Sequence, residues 1–247
     1  MSYLCLAGKT VGIHRPGGFA EYTTVAQENC YPLPENVSND AGALLDVYGC
    51  AVHGLTRLPV KPGDRVVVIG TGAMAIAFAE LSYLAGASSV AMVGRRKSAV
   101  ETAAGLINAV PISSSDQNPS HAVKNWSNGR GADVVYECVG GTEQTLALAM
   151  KMACQGGMVG VEGVHTRSQS IDTVTALLRE LTVTWFYSHG RRGERAEYEI
   201  ALDLMAQGRI RPERLITHHF PLEQIGEAFA AADNHAASKS IKVVINP

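Results

Sequence analysis

The chain has 247 residues, 46% hydrophobic and 18% charged, and its 21 basic against 23 acidic residues leave a formal charge of −2. That length allows one large domain or two smaller ones, and the apolar content supports a sizeable core rather than wholesale disorder. The near-neutral balance, with no basic run, excludes nucleic acid or an anionic membrane surface as the expected main partner.

Other classes drop out as quickly. The opening Met1-Ser2-Tyr3-Leu4-Cys5-Leu6-Ala7-Gly8-Lys9 lacks the charged start and long apolar core of a secretory signal, and no run approaches the ~18 apolar residues of a membrane span. The cysteines (Cys5, Cys30, Cys50, Cys138, Cys154) are odd in number and scattered, with neither a disulfide framework nor a C-x-x-C pair. A reducing cytoplasm is the expected location.

In chain order, residues 10–34 read as short β segments. Arg15-Pro16-Gly17-Gly18 is turn chemistry, and Phe19-Ala20-Glu21-Tyr22-Thr23-Thr24-Val25 has the residue types of a strand. Pro32 and Pro34 close the region, and Ser38, Asn39 and Asp40 offer N-caps for a helix reaching about Leu58. After the turn Lys61-Pro62-Gly63-Asp64, the β-branched run Arg65-Val66-Val67-Val68-Ile69 predicts a strand buried on both faces of a parallel sheet. A helix is expected over 73–84 and strands over 89–93, 133–138, 158–161 and 181–186, with helical stretches between. This alternation predicts a doubly wound α/β domain. A helix over 194–207 stopped by Gly208, a strand over 215–218, a helix over 222–232 and a strand over 241–245 complete the chain.

Directly after the first buried strand stands Gly70-Thr71-Gly72-Ala73-Met74-Ala75, a G-x-G-x-x-A pattern. Its first glycine allows a tight turn, its second admits a pyrophosphate to the backbone, and the small third residue lets the helix sit close to the strand. The helix N-terminus then offers free N–H groups and a partial positive charge to phosphates. At the end of the second strand an NAD-specific protein usually has an acidic residue for the ribose hydroxyls. Here the sequence is Gly94-Arg95-Arg96. No carboxylate repels a 2′-phosphate, and two guanidinium groups are available to grip one, so NADP(H) is the expected cofactor.

Together with these residues, several segments resemble the medium-chain dehydrogenase/reductase superfamily, in its zinc-type alcohol, polyol and threonine dehydrogenase branch. They are Gly12-Ile13-His14-Arg15-Pro16-Gly17-Gly18-Phe19-Ala20-Glu21-Tyr22, Ala43-Leu44-Leu45-Asp46 on to Val52-His53, and Val60-Lys61-Pro62-Gly63-Asp64. Further along come Gly131-Ala132-Asp133-Val134-Val135-Tyr136-Glu137-Cys138-Val139-Gly140 and Leu215-Ile216-Thr217-His218-His219-Phe220-Pro221-Leu222. The resemblance implies a Rossmann NADP(H)-binding domain over 48–190. Residues 1–47, with a C-terminal return over 191–247, would form a reduced, β-rich remnant of a GroES-like catalytic domain. It places Gly94 and Arg96 where NADP-dependent relatives admit the 2′-phosphate. Val139, Gly140, Val161 and Glu162 would lie beside the nicotinamide, and Lys242 would be a basic residue near the cofactor.

The pattern is broken at its start. The resemblance implies roughly another quarter of chain before this point, supplying a cysteine and a His-Glu pair for catalytic zinc. Asp46 aligns with a third zinc ligand, and Cys5 with a cysteine of a structural zinc lobe. Asp46, Cys50 and His53 are spaced i, i+4, i+7 on one helix face, but ~10 Å of helix rise separates the first from the last, too far for one ion. With about three protein ligands needed, no catalytic zinc is expected.

Asp46, Tyr48 and His53 are the candidates for acid–base work, while His14, His218, His219, Asp133 and Glu137 read as structural. The expected activity is hydride transfer between the nicotinamide and a small alcohol or carbonyl compound, by a homodimer or higher homo-oligomer. The competing expectations are an inactive NADPH-binding regulatory module and a half-enzyme completed by another chain.

Overall fold

A computed structural model describes residues 2–5 and 7–246. The chain forms α1 (Asn39–Ala43) and α2 (Leu45–Arg57), then alternates strand and helix: β1 (Arg65–Ile69), α3 (Ala73–Leu84), β2 (Ser89–Gly94), α4 (Lys97–Gly105), β3 (Val110–Ser113), α5 (Pro119–Trp126), β4 (Ala132–Glu137), α6 (Thr145–Met152), β5 (Ala153–Val161), α7 (Thr173–Leu178) and β6 (Thr182–Trp185). It ends with β7 (Arg191–Arg192), β8 (Arg195–Ala196), α8 (Glu197–Ala206), β9 (Ile216–Pro221), α9 (Ile225–Asp233), α10 (His235–Ser238) and β10 (Lys242–Asn246). Two compact units result, Cys50–Tyr187 and Met1–Gly49 with Ser188–Pro247.

The first of these units is a six-stranded parallel sheet in the order β3-β2-β1-β4-β5-β6, the doubly wound Rossmann arrangement. Its central strands have no exposed side: Val66, Val67, Val68, Val90, Ala91, Met92, Val134 and Val135 are all completely buried, as continuous apolar runs covered on both faces require. Polar side chains start several helices. The Ser38 hydroxyl accepts from the Ala41 N–H at 3.1 Å at α1. Asn118 accepts from Ser120 and His121 at α5, where Pro119 needs no partner. On one face of the sheet Phe78 packs against Tyr136 with ring centroids 4.7 Å apart and against Phe186 at 6.2 Å. The Tyr136 hydroxyl donates to the Leu58 carbonyl at 2.6 Å. Burial first, then the electrostatic influence of Cys138 and Asp64, pushes that phenol well above its ordinary range.

The other unit holds two small sheets, antiparallel β7–β8 and parallel β9–β10. The β9–β10 pair is joined by a crossover containing α9, the way parallel neighbours must be connected.

Besides the short β7–β8 pair, whose second strand takes the place of the start of the helix expected over 194–207, three further departures from the sequence expectation stand out. The helix expected from residue 39 to about 58 is broken at Leu44 into α1 and α2. β3 was not foreseen, because Pro111 and two exposed positions at its start mask a strand that pairs on one side only. Residues 10–34 form no strand among the described residues, only a Val11–Arg15 bridge and a single 3₁₀ turn at Gln27–Asn29. Strand residue types there find no neighbouring strand to complete their hydrogen bonds, and β propensity alone does not make a sheet.

Candidate functional site: a dinucleotide cleft at the ends of the parallel strands

The G-x-G-x-x-A segment joins β1 to α3. Gly70 has φ +131°, and a Cβ there would stand 3.1 Å from the Ala75 Cβ and 3.4 Å from the Cys138 carbonyl oxygen, so both turn and packing require glycine. Gly70 N–H donates to Val93 O at 2.8 Å and Cys138 N–H to Ile69 O at 2.9 Å. These bonds bring the C-terminal ends of β2, β1 and β4 level. Gly72 caps α3 with extended backbone and no side chain, while Ala73 is buried and Thr71 and Met74 are half-buried. The helix N-terminus is therefore open to an anion. This is where an open α/β sheet binds its ligand.

At the end of β2, a Cβ on Gly94 would lie 2.6 Å from Thr71 Cγ2 and 3.0 Å from Val100 Cβ. The strand end is thus pressed against the glycine loop, and any larger residue would displace it. Arg96 is the exposed N-cap of α4, and its guanidinium has no hydrogen bond or ion pair among the described residues. Arg95 is exposed and pairs with Glu143, Nη1 to Oε1, at 3.3 Å.

Beneath the ends of β4 and β5 lies a buried carboxylate. Glu137 Oε1 accepts from Val139 N–H at 2.7 Å, Gly140 N–H at 3.1 Å and the Thr145 hydroxyl at 2.9 Å. Its backbone oxygen accepts from Glu162 and Gly163 at 2.9 and 3.0 Å. His165 Nε2 stands 3.6 Å from Oε2 and 3.2 Å from the Thr145 hydroxyl. Glu137 thereby ties both loops, its side chain holding the one with Val139 and Gly140 and its backbone oxygen the one that begins at Glu162. Burial, with the charges of Glu137 and Glu162, pushes the neighbouring Cys138 thiol well above its ordinary pKa, so it stays a neutral thiol at neutral pH. Thr145 and His165 escaped the sequence reading. The signal was available in principle: a Glu at the end of a fully buried strand must find donors, and the residues following it are where to look.

The other candidates are placed as follows. Asp46, Tyr48 and His53 all lie on α2; Tyr48 and His53 are buried and Asp46 is exposed. At about 100° per residue, Asp46 and His53 share a face two turns apart while Tyr48 points to the opposite one. Asp46 Oδ1 accepts from the Tyr198 hydroxyl at 2.5 Å. The Tyr198 ring stacks on His189 at 3.7 Å and occupies the space a Cβ on Gly49 would need, 2.3 Å from that ring. Neither Tyr198 nor His189 was singled out from sequence. Lys242 opens β10. His14 accepts from Thr10 N–H at 3.1 Å, His219 lies 2.9 Å from Asp40, and His218 lies 2.9 Å from Thr217.

Among the described residues no group of three or more His, Cys, Asp or Glu side chains is placed to hold a metal ion. The donor set Asp46, Cys50 and His53 does not fit a catalytic zinc, since no three of its atoms converge. A hollow of about 430 Å³ in the Met1–Gly49 with Ser188–Pro247 unit, lined by Asn36, Ser38, Met205, Arg211 and Glu213 among others, contains none of the candidate residues.

Comparison with known proteins agrees with this geometry. The zinc-binding dehydrogenase family profile matches residues 60–207. The Aspergillus clavatus protein named D-xylulose reductase A is 29% identical over 233 residues, covering 93% of this chain and 63% of that protein. The alcohol dehydrogenase TADH from Thermus sp. ATN1 is 31% identical with a TM-score of 0.82, covering 93% of this chain and 65% of that one. A zinc-binding-dehydrogenase-type protein from Sinorhizobium meliloti 1021, solved bound to NADP, is 28% identical with a TM-score of 0.87, covering 99% and 70%. The chain thus spans about two thirds of the length of these relatives. Fold, glycine loop and family profile converge on the same assignment: the chain belongs to the zinc-binding dehydrogenases of the medium-chain dehydrogenase/reductase superfamily.

Proposed function

We propose that the chain is an NADP(H)-dependent oxidoreductase that moves a hydride between the nicotinamide and a small alcohol or carbonyl compound. The observation that carries the reading is the end of β2, where Gly94 packs directly against the glycine loop and Arg95 and Arg96 stand in place of an acid. Residues 48–190 form the cofactor domain. Residues 1–47 and 191–247 are the GroES-like part. Gly70, Thr71, Gly72, Ala73 and Met74 hold the pyrophosphate. Gly94, Arg95 and Arg96 hold the 2′-phosphate, Val139, Gly140, Val161 and Glu162 flank the nicotinamide, and Lys242 supplies a further basic contact. Bound cofactor supplies the hydride chemistry, and the protein binds and orients it. Asp46, Tyr48 and His53 do the proton transfer and polarise the substrate without zinc. The hydrogen bond already linking Asp46 to the Tyr198 hydroxyl supports Asp46 as the first residue to test. The protein acts in the cytoplasm as a homo-oligomer. Exposed Val174, Leu177, Leu178 and Trp185, on α7 and the edge strand β6, support self-association through this sheet edge. No helix among the described residues is long and apolar enough to cross a membrane.

Side-by-side calorimetric titration with NADPH and NADH tests this. NADPH should bind more tightly, and Arg96→Ala should weaken it roughly ten- to a hundredfold while leaving NADH unchanged. Equal binding of the two dinucleotides would overturn the cofactor preference, and binding of neither would overturn the reading. A second reading, a half-enzyme completed by another chain, is favoured by exposed Ile13, Phe19 and Tyr22 in a segment without strand partners. It predicts turnover only when a complementary chain is added.

A further inference from the structure

The sheet order places β1 between β2 and β4, and Ile69 is level with Val93 on one side and Glu137 on the other. Arg95 is the first residue beyond β2, and Glu143 lies in the loop between β4 and α6. The Arg95–Glu143 ion pair therefore passes over the C-terminal end of β1, two inter-strand spacings or roughly 10 Å wide, above the turn that begins at Gly70.

The loop that carries Glu143 is stitched to the following one. Gly141 N–H donates to Val164 O at 2.8 Å and Thr166 N–H to Gly141 O at 2.9 Å. The Gln144 amide bonds Ser168 O at 3.2 Å and accepts from Ser170 N–H at 3.3 Å, and the Gln169 amide donates to Glu143 O at 3.1 Å. So the Glu143 backbone is anchored, while its carboxylate reaches Arg95, a neighbour of Arg96 that could also grip a phosphate.

We propose that Glu143 is a specificity-determining residue that competes with the 2′-phosphate of NADP(H) for Arg95. The ion pair is a strap across the cleft that a phosphorylated dinucleotide opens and an unphosphorylated one does not. This rests on the NADP(H) reading above. A 2′-phosphate brings a double negative charge into reach of Arg95 and Arg96 and offers a bidentate partner, so it outbids a solvated monodentate carboxylate. A dinucleotide with free ribose hydroxyls offers Arg95 no charge to exchange for Glu143. The acidic residue missing from the end of β2 is thus supplied in part from the β4 side, and it moderates the preference that the two arginines set.

The test is calorimetric titration of the full chain, its Glu143→Gln and Arg95→Gln variants and the double variant, each with NADPH and with NADH. Glu143→Gln should tighten NADPH about two- to fivefold and move NADH by less than twofold, and the gain should vanish in the Arg95→Gln background. Unchanged or weaker NADPH binding by Glu143→Gln would overturn the proposal while leaving the cofactor reading intact. So would a gain that persists without Arg95, since Glu143 would then act as a general negative charge. A wild-type chain that binds neither dinucleotide would remove the cofactor reading and this inference with it. Both side chains are exposed, so each variant should fold, and coincident thermal melts verify it.

Discussion

Two stretches of this chain share the same strand-forming vocabulary and meet different ends. Val66, Val67 and Val68 of β1 are wholly buried between two parallel neighbours. Phe19, Tyr22 and Val25, in an equally aromatic and β-branched run, are 63%, 90% and 48% exposed and belong to no strand. What separates them is the supply of partners. Each strand of the parallel sheet but the last is followed within one helix by another that pairs in the same sheet, so the unit completes most of its own hydrogen bonding. Residues 10–34 have no such neighbour among the described residues, and most of their apolar side chains are exposed, with Phe19 touching Phe229 and Tyr31 touching Tyr198 edge-on. A β-forming sequence becomes a strand when the rest of the chain brings it an edge.

The widest separation should appear in truncations. Phe78→Ala removes a ring in contact with Tyr136 and Phe186 from a site with no solvent access. It should lower stability by about 3–5 kcal/mol, whereas Tyr22→Ala should change it by less than about 0.5 kcal/mol. Denaturant melts of both variants check this, and losses of equal size would mean that the 10–34 region packs far more than its exposure shows.

Next comes the carboxylate under the cleft. Glu137→Ala takes the acceptor from the Val139 and Gly140 N–H groups and from the Thr145 hydroxyl, the Gly140 N–H in a buried setting and the other two in half-buried ones. A destabilisation of about 2–4 kcal/mol is expected, and, under the proposed function, weaker dinucleotide binding, since the loop carrying Val139 and Gly140 loses its side-chain anchor. Glu137→Gln keeps an acceptor and should recover part of both. A stable Glu137→Ala protein with wild-type binding would show that the loops hold their shape without it. Amide exchange sharpens the same contrast at residue level. Val67 and Val68 should exchange only through global unfolding, and residues 19–25 orders of magnitude faster.

How far the sequence carried is visible in particular residues. The β1 run, Gly70 to Met74 and Gly94 to Arg96 were legible because each reports local chemistry: a buried strand, a turn that needs glycine, a strand end without an acid. The α/β alternation and the family followed from the same local cues. Glu143, Thr145, His165 and Tyr198 were not legible. Their roles depend on partners 48, 8, 28 and 152 positions away, namely Arg95, Glu137, Glu137 again and Asp46, and no spacing rule encodes such a contact. Residues 19–25 failed for the converse reason, since their local signal was sound and the missing term was the neighbour.

The finest contrast lies inside the well-ordered unit itself. α7 buries none of its residues, so unlike the sheet it depends on its cap. Asp172 accepts from Thr175 N–H at 3.0 Å and from the Thr175 hydroxyl at 2.6 Å, and these bonds, the hydroxyl first, lower the carboxyl's pKa. A folded-state pKa below the unfolded one means stabilisation that is complete above the ordinary carboxylate range and disappears as pH falls through the lowered value. Acidification from pH 7 towards pH 3 should therefore lower the protection of the α7 amides, taken relative to intrinsic exchange at each pH, before that of β1 responds. Asp172→Asn, a cap that does not titrate, should make α7 indifferent to pH over this range, and Asp172→Ala should leave it frayed throughout. If α7 and β1 loosened together on acidification in the wild type, the helix would be held by packing that its exposure does not show, and the local weakness assigned to it would be wrong.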